Sequence, residues 1–177
     1  MIYPILKYGN PDLRKKSSAV PQDYPNLDQL IDDMYETMHK ARGIGLSAIQ
    51  IGIPIKLFVI EAHLPEKKFD FKEVFINPKI TFKSNNLINY SEGCLSVPGL
   101  TGMITRPNEI RIEYYDRSWK LRKRKYSGFR ARMIQHEYDH LEGILYPDLL
   151  PHMWKELLQP SLKEIEEGKI ESQYLMK

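Results

Sequence analysis

The feature that most narrows the choice of folds is the pentapeptide His136-Glu137-Tyr138-Asp139-His140, set inside a longer segment from Ser127 to Gly143. Ser127 suits an N-cap and Gly143 suits a C-terminal stop, so the segment reads as one helix. At about 100° per residue, Phe129, Met133, His136 and His140 share one face. Ala131, Ile134, Tyr138 and Leu141 lie on the roughly opposite one. A helix that is apolar on two sides is buried between layers. Two histidines and a glutamate inside a core are costly unless a metal ion or hydrogen-bond partners meet them.

Side chains at i and i+4 are neighbours on a helix, so both imidazoles can reach one metal ion. Glu137 lies about 100° away from His136. That makes it a poor first ligand but places it to touch a water beside the ion. This is the arrangement of metal-assisted hydrolysis, with the glutamate as general base. A catalytic site of this kind needs a third protein ligand. Downstream the candidates are His152 and the glutamates of the terminal segment; upstream stands Cys94, in Glu92-Gly93-Cys94-Leu95-Ser96-Val97-Pro98-Gly99. Cys94 is the sole cysteine and forms no internal disulfide. The ordinary role of such a residue is a small buried hydrophobe. Flanked by glycine, serine and proline, it also reads as held on a constrained loop, as a ligand must be.

Elsewhere the periodicity alternates between helix and strand. Asn26 to His39 carries Leu27, Leu30, Ile31, Met34 and Met38 and predicts an amphipathic helix that ends near Gly43. Ile55 to Ile60 is apolar and rich in branched side chains, hence a strand. Glu73–Ile76 and Ile80–Phe82 flank Asn77-Pro78, a turn or strand entry. Ile110, Ile112 and Tyr114 alternate with Arg111, Glu113 and Tyr115, which predicts a half-buried strand, followed by a turn at Asp116–Ser118 and a return through Trp119 to Tyr126. His152 to Gly168 reads as a further amphipathic helix, bent or broken at Pro160. The expected fold is α+β, with mixed or antiparallel sheets packed around a central metal-binding helix, and with an N-terminal and a C-terminal helix. A chain of 177 residues without repeats or a linker implies one domain, 1–177.

A net charge of +3 is too small to argue for nucleic-acid binding. The one concentrated patch, Lys120-Leu121-Arg122-Lys123-Arg124-Lys125, reads first as a solvated hairpin arm. Its sharper reading is a contact with ribosomal RNA or another polyanion. No apolar run approaches the roughly 20 residues that span a bilayer. Met1 to Lys7 lacks the apolar block and cleavage site of a signal peptide. The expected location is the cytoplasm and the expected state a monomer, with no membrane partner.

Three segments together resemble the signature motifs of peptide deformylases. They are Gly43-Ile44-Gly45-Leu46-Ser47-Ala48-Ile49-Gln50, then Glu92-Gly93-Cys94-Leu95-Ser96, then Gln135-His136-Glu137-Tyr138-Asp139-His140-Leu141-Glu142-Gly143. The resemblance implies a metal-dependent hydrolase that removes the formyl group from the formyl-methionine of nascent proteins and releases formate. It implies that Cys94, His136 and His140 bind one divalent ion, Fe²⁺ in the cell and Zn²⁺, Ni²⁺ or Co²⁺ in purified material. Glu137 is then the general base, which later passes its proton to the leaving amine. The Gln50 side-chain amide and the Leu95 backbone N–H are implied as donors to the formyl oxygen. Backbone around Ile44 and Gly45 is implied to pair with the substrate chain as an added strand. Tyr90, Glu92, Gly93, Phe129 and Met133, with Ile44 and His136, are implied to bind substrate, chiefly its methionine. Asp139 and Gln135 would orient the ligands, and Arg106 would pair with Glu92.

The chain departs from the commoner pattern at Ser47, where alanine is usual, at Ile49, and at Thr101, where some relatives hold the substrate with an arginine. Arg132 falls at the edge of the site-facing arc. Two other readings compete. A metalloprotease would need a third ligand other than Cys94, and the Glu92–Ser96 segment argues against it. A non-catalytic nascent-chain or ribosome-binding module would have no use for Glu137.

Overall fold

The apolar run that begins at Ile55 must be buried on both faces, and the fold achieves this by placing a sheet between two helices. The computed structural model describes residues 1–177, the side chain of Lys67 excepted. Among the described residues the strands are β1 (Gly45–Ser47), β2 (Leu57–Leu64), β3 (Phe69–Lys83), β4 (Leu87–Cys94), β5 (Val97–Pro107), β6 (Glu109–Tyr115) and β7 (Leu121–Ser127). The α-helices are α1 (Leu27–Lys40), α2 (Gly128–Leu141) and α3 (His152–Glu166). A five-stranded antiparallel sheet runs in the order β1-β2-β3-β6-β7, and β4 and β5 form a separate antiparallel hairpin. This is the expected α+β class.

Strand β2 shows how the layers assemble. Leu57 and Val59 join Ile31, Met34 and Met38 of α1 in one core. Phe58 and Ile60 point the other way and join Ala131, Ile134 and Leu141 of α2 in a second. Each such side chain, fully buried, contributes about 1.5–3 kcal/mol. The hairpin makes a third core, in which Val97 and Ile104 meet Tyr146 and Leu150 and the α3 residues Leu162 and Ile165.

Several local expectations change. Asn77-Pro78 is neither a turn nor an entry point, because β3 runs through it as a bulge, with the β6 register shifting between Ile76 and Lys79. Proline has no N–H for the ladder, so a bulge is where a strand can carry it. Asn77 takes a left-handed φ of 50° and binds the Val20 N–H and carbonyl at 2.8 Å each. Helix α3 is not broken at Pro160. Pro160 and Glu156 are both exposed, so water can reach the carbonyl that the proline leaves unpaired. Its amphipathic reading holds only for the second half, since Met153, Trp154 and Leu157 are exposed. The constrained loop expected around Cys94 is a hairpin turn: Cys94 ends β4, and Leu95-Ser96 turn the chain into β5.

The basic stretch lies largely in β7 and is neutralised along its side. Arg122 pairs with Asp116 at 2.6 Å, Lys123 with Glu113 at 2.8 Å and Lys125 with Glu109 at 2.7 Å. Among the described residues no helix is long and apolar enough to cross a membrane.

Candidate active site

Helix α2 is aimed by its ends. Ser127 stands at its N-cap, and past the C-cap Glu142 the chain turns at Gly143 with φ 74°. A Cβ at Gly143 would lie 2.5 Å from the backbone oxygen of Arg14, so glycine is needed both for the conformation and for the close approach. The helix presents His136 and His140 edge to face, with ring centroids 5.1 Å apart. The hairpin turn brings Cys94 to the same point, its Sγ 3.3 Å from His140 Nε2. One ligand atom from each of Cys94, His136 and His140 lies within 4.8 Å of the others. Two N–H groups also point at the sulfur, Ser96 N at 3.4 Å and Gln50 Nε2 at 3.6 Å. One sulfur and two imidazole nitrogens gathered this closely form a donor set for a divalent transition ion.

The histidines are prepared for that task in different ways. His136 Nδ1 lies 2.9 Å from Glu92 Oε2. A carboxylate only accepts, so Nδ1 carries the proton and Nε2 offers a lone pair. Burial works against charge on His136, but Cys94 and Glu92 outweigh it and raise its pKa. His140 is driven the other way, first by burial and then by the charges of His136 and Arg106, and stays neutral as a ligand must. Its Nδ1 is buried without a partner among the described residues, so packing fixes this ring.

Glu92 is the centre of a buried charge cluster. Its Oε1 accepts from Arg106 Nε at 2.6 Å and from Arg132 Nη1 at 2.8 Å, and its Oε2 accepts from Arg106 Nη2 at 2.9 Å. Burial alone would raise its pKa, but hydrogen bonds from His136 and Arg106 hold it well below the usual carboxylate range. Arg106 also donates to Asp139 at 2.5 Å, which ties the ligand helix to β5. Arg132 is a full member of the cluster, bonded to the carbonyls of Ile104 at 2.9 Å and Ile88 at 2.6 Å. Gln135 does not touch the ligands; its amide donates to the carbonyls of Pro107 and Ala131.

Glu137 lies beside this centre, its carboxylate gripped from one side. Ser47 Oγ donates to Oε2 at 2.7 Å, and Gly45 lies so close that a Cβ there would stand 2.4 Å from Oε1. Burial raises the pKa of Glu137, offset in part by the charge of His136 and the Ser47 hydrogen bond. A carboxylate whose pKa is raised toward neutrality can take and return a proton. Gln50 sits in the short turn after β1. Its Oε1 accepts from Ser47 N at 2.9 Å, and its Nε2 donates to Ser96 Oγ at 3.1 Å. The first bond fixes the amide orientation and turns the NH₂ toward Cys94. Among the described residues the Leu95 N–H has no protein acceptor.

These groups open onto a cavity of about 540 Å³. Of the residues singled out in the sequence, Ile44, Gly45, Gln50, Glu92, Gly93, Cys94, Leu95, Phe129, Met133, His136 and Glu137 line it. Tyr90 does not; it is half-exposed, with its ring 5.7 Å from that of Phe129. His140 lies behind the lining, fully buried. Sequence reasoning passed over Arg42, Leu100 and Tyr174, which also line the cavity. For Tyr174 no local signal existed, since the tail comes to the site only through long-range pairing.

Fold and site together define a hydrolase built around a Cys-His-His metal centre. The polypeptide deformylase family model matches residues 2–156. A peptide deformylase of Christiangramia forsetii is 43% identical, over all of this chain and 96% of the relative. One from Flavobacterium johnsoniae is also 43% identical, with the same coverage. The solved peptide deformylase of Thermus thermophilus superposes with a TM-score of 0.85 at 38% identity, over 95% of this chain and 99% of that one. The chain belongs to the peptide deformylase family, and as an enzyme it removes the N-formyl group from nascent peptides.

Proposed function

We propose that Cys94, His136 and His140 hold one divalent ion and that Glu137, Gln50 and Leu95 carry out deformylation around it. The convergence of the three ligand atoms within 4.8 Å supports this reading most directly. Such a donor set accepts Fe²⁺, Zn²⁺, Ni²⁺ or Co²⁺, and the proposed ion in the cell is Fe²⁺. When bound, it acidifies water and makes hydroxide available near neutral pH. Glu137 takes the proton of the attacking water and delivers it to the departing methionine amine. The Gln50 amide and the Leu95 N–H meet the negative charge that develops on the formyl oxygen. Glu92 keeps Nδ1 of His136 protonated and the ring in place.

The substrate chain pairs with the open edge of β1, at Ile44 and Gly45. That strand is the end of its sheet and has β2 on one side only. Recognition through main chain admits many sequences. The methionine side chain lies against Ile44, Gly93, Phe129 and Met133, with Glu92 behind His136 and Tyr90 supporting Phe129 from outside. The catalytic unit is the whole chain, 1–177, as one domain, acting as a monomer in the cytoplasm on formyl-methionyl nascent polypeptides. A ribosome contact through the basic arm would fall to Lys120 and Arg124, which form no ion pair among the described residues.

The test is formate release from a formyl-methionyl peptide by anaerobically purified protein, comparing wild type with Cys94→Ala. Activity in the wild type, with metal and activity both lost in the variant, is the expected result. No formate from fully metallated wild type would overturn the account and favour a binding module.

A further inference from the structure

The C-terminal tail reaches the reaction centre from outside all three signature segments, and it lies beyond the residues 2–156 matched by the family model. It is paired with the N-terminal segment. Ile5 N–H donates to the Leu175 carbonyl at 2.9 Å, Lys7 N–H to the Lys177 carbonyl at 2.9 Å, and Lys177 N–H to the Ile5 carbonyl at 3.0 Å. Ile5 and Met176 form a parallel bridge. Extended backbone directs successive amides to opposite sides, and this segment uses both. Leu6 N–H donates to the Gln50 carbonyl and Tyr8 N–H to the Ser96 carbonyl, each at 2.7 Å. The two stretches that carry the oxyanion donors are thus fastened to one N-terminal segment, and that segment is backed by the tail.

Tyr174 adds a direct link. Its hydroxyl donates to the Leu95 carbonyl at 2.6 Å, while its ring forms part of the cavity wall. The peptide between Leu95 and Ser96 is then held at both ends. Its oxygen accepts from Tyr174, and its N–H points at Cys94 Sγ at 3.4 Å. The Leu95 N–H is separated from this fixed plane by a single Cα. With no side-chain or backbone partner among the described residues, its direction is set by that plane.

We infer that Tyr174 is a positioning residue for deformylation: its hydroxyl locks the Leu95–Ser96 peptide and so keeps the Leu95 N–H aimed at the formyl oxygen. This rests on the oxyanion role given to Gln50 and Leu95 above. Displacing a donor by a fraction of its hydrogen-bond length weakens the transition state more than the bound substrate. The hydroxyl should therefore appear in kcat and not in KM.

The experiment is steady-state formate release by the full-length, metal-loaded Tyr174→Phe enzyme, with metal content and Tm measured on the same sample. The expected result is a kcat lower by about fivefold, a KM within about twofold and an unchanged metal content. Truncation after Gln173 removes the phenol together with the tail pairing and should lower kcat at least as far. An unchanged kcat in either variant overturns the inference, as does a rise in KM alone, which would make Tyr174 a wall of the substrate cavity. Gln50→Ala, assayed alongside, separates the two levels. A large loss there with none in Tyr174→Phe rejects the role of the tail only. No loss in either rejects the oxyanion reading itself.

Discussion

The Ser47 hydroxyl donates to the Glu137 carboxylate at 2.7 Å, and so a residue of the first signature segment holds the glutamate carried by the third. A hydrogen bond to a charged group contributes about 1.5–3 kcal/mol. Ser47→Ala leaves the metal ligands untouched but frees one carboxylate oxygen. We expect kcat to fall by about tenfold at unchanged metal content, measured by formate release and elemental analysis.

Gly45 faces the other carboxylate oxygen. A Cβ at this position would stand 2.4 Å from Glu137 Oε1 and 2.9 Å from Cδ, so Gly45→Ala must displace this carboxylate. A shift of about 1 Å in a catalytic group can cost about a hundredfold. The expected outcome is a kcat lower by about that factor, with the ion still bound.

Acid should loosen the buried cluster through Glu92. Its pKa in the folded protein is held far below the ordinary 4.5, so the stability it contributes is fully present above that value and is lost as pH falls through and below it. In metal-free protein we expect Tm to drop between about pH 5 and pH 3. Glu92→Gln should flatten that dependence. It should also lower stability at pH 7 by about 3–5 kcal/mol, because Arg106 and Arg132 lose their shared partner.

Gly143→Ala tests how the metal helix is ended. The added Cβ meets the backbone of Arg14, which cannot swing aside as a side chain would, and the left-handed φ of 74° adds strain. We expect a loss of about 2 kcal/mol or more, read from urea unfolding.

Much of this architecture was legible in the residues. The two-sided apolar pattern of Ser127 to Gly143 located α2 and the direction of both histidines, because the helical period alone decides which side chains share a face. The β2 run announced a strand, and its burial between α1 and α2 follows from having no polar face. The hairpin of β4 and β5 was not read as strands. Leu87, Tyr90 and Met103 are exposed apolar residues there, while Glu92 and Arg106 are buried charges, so alternation of the usual kind is missing. The bulge at Asn77-Pro78 was hidden because its stabilising partner, Val20, is distant in sequence. At the site, the i, i+4 spacing pointed to His136 and His140, while Cys94 stood beside other candidates until the resemblance of the three signature segments singled it out. The buried bonds of Arg132 and the Tyr174–Leu95 hydrogen bond are long-range contacts that no local pattern encodes.

The central claim is a division of labour in which Cys94, His136 and His140 hold the ion while Glu137 moves the proton. The most direct test measures metal content and formate release on one preparation of Glu137→Ala. The account predicts about one ion per chain, as three intact ligands require, with formate release lowered by about a thousandfold or more. Loss of the ion together with activity, or activity retained near the wild-type level, would contradict it.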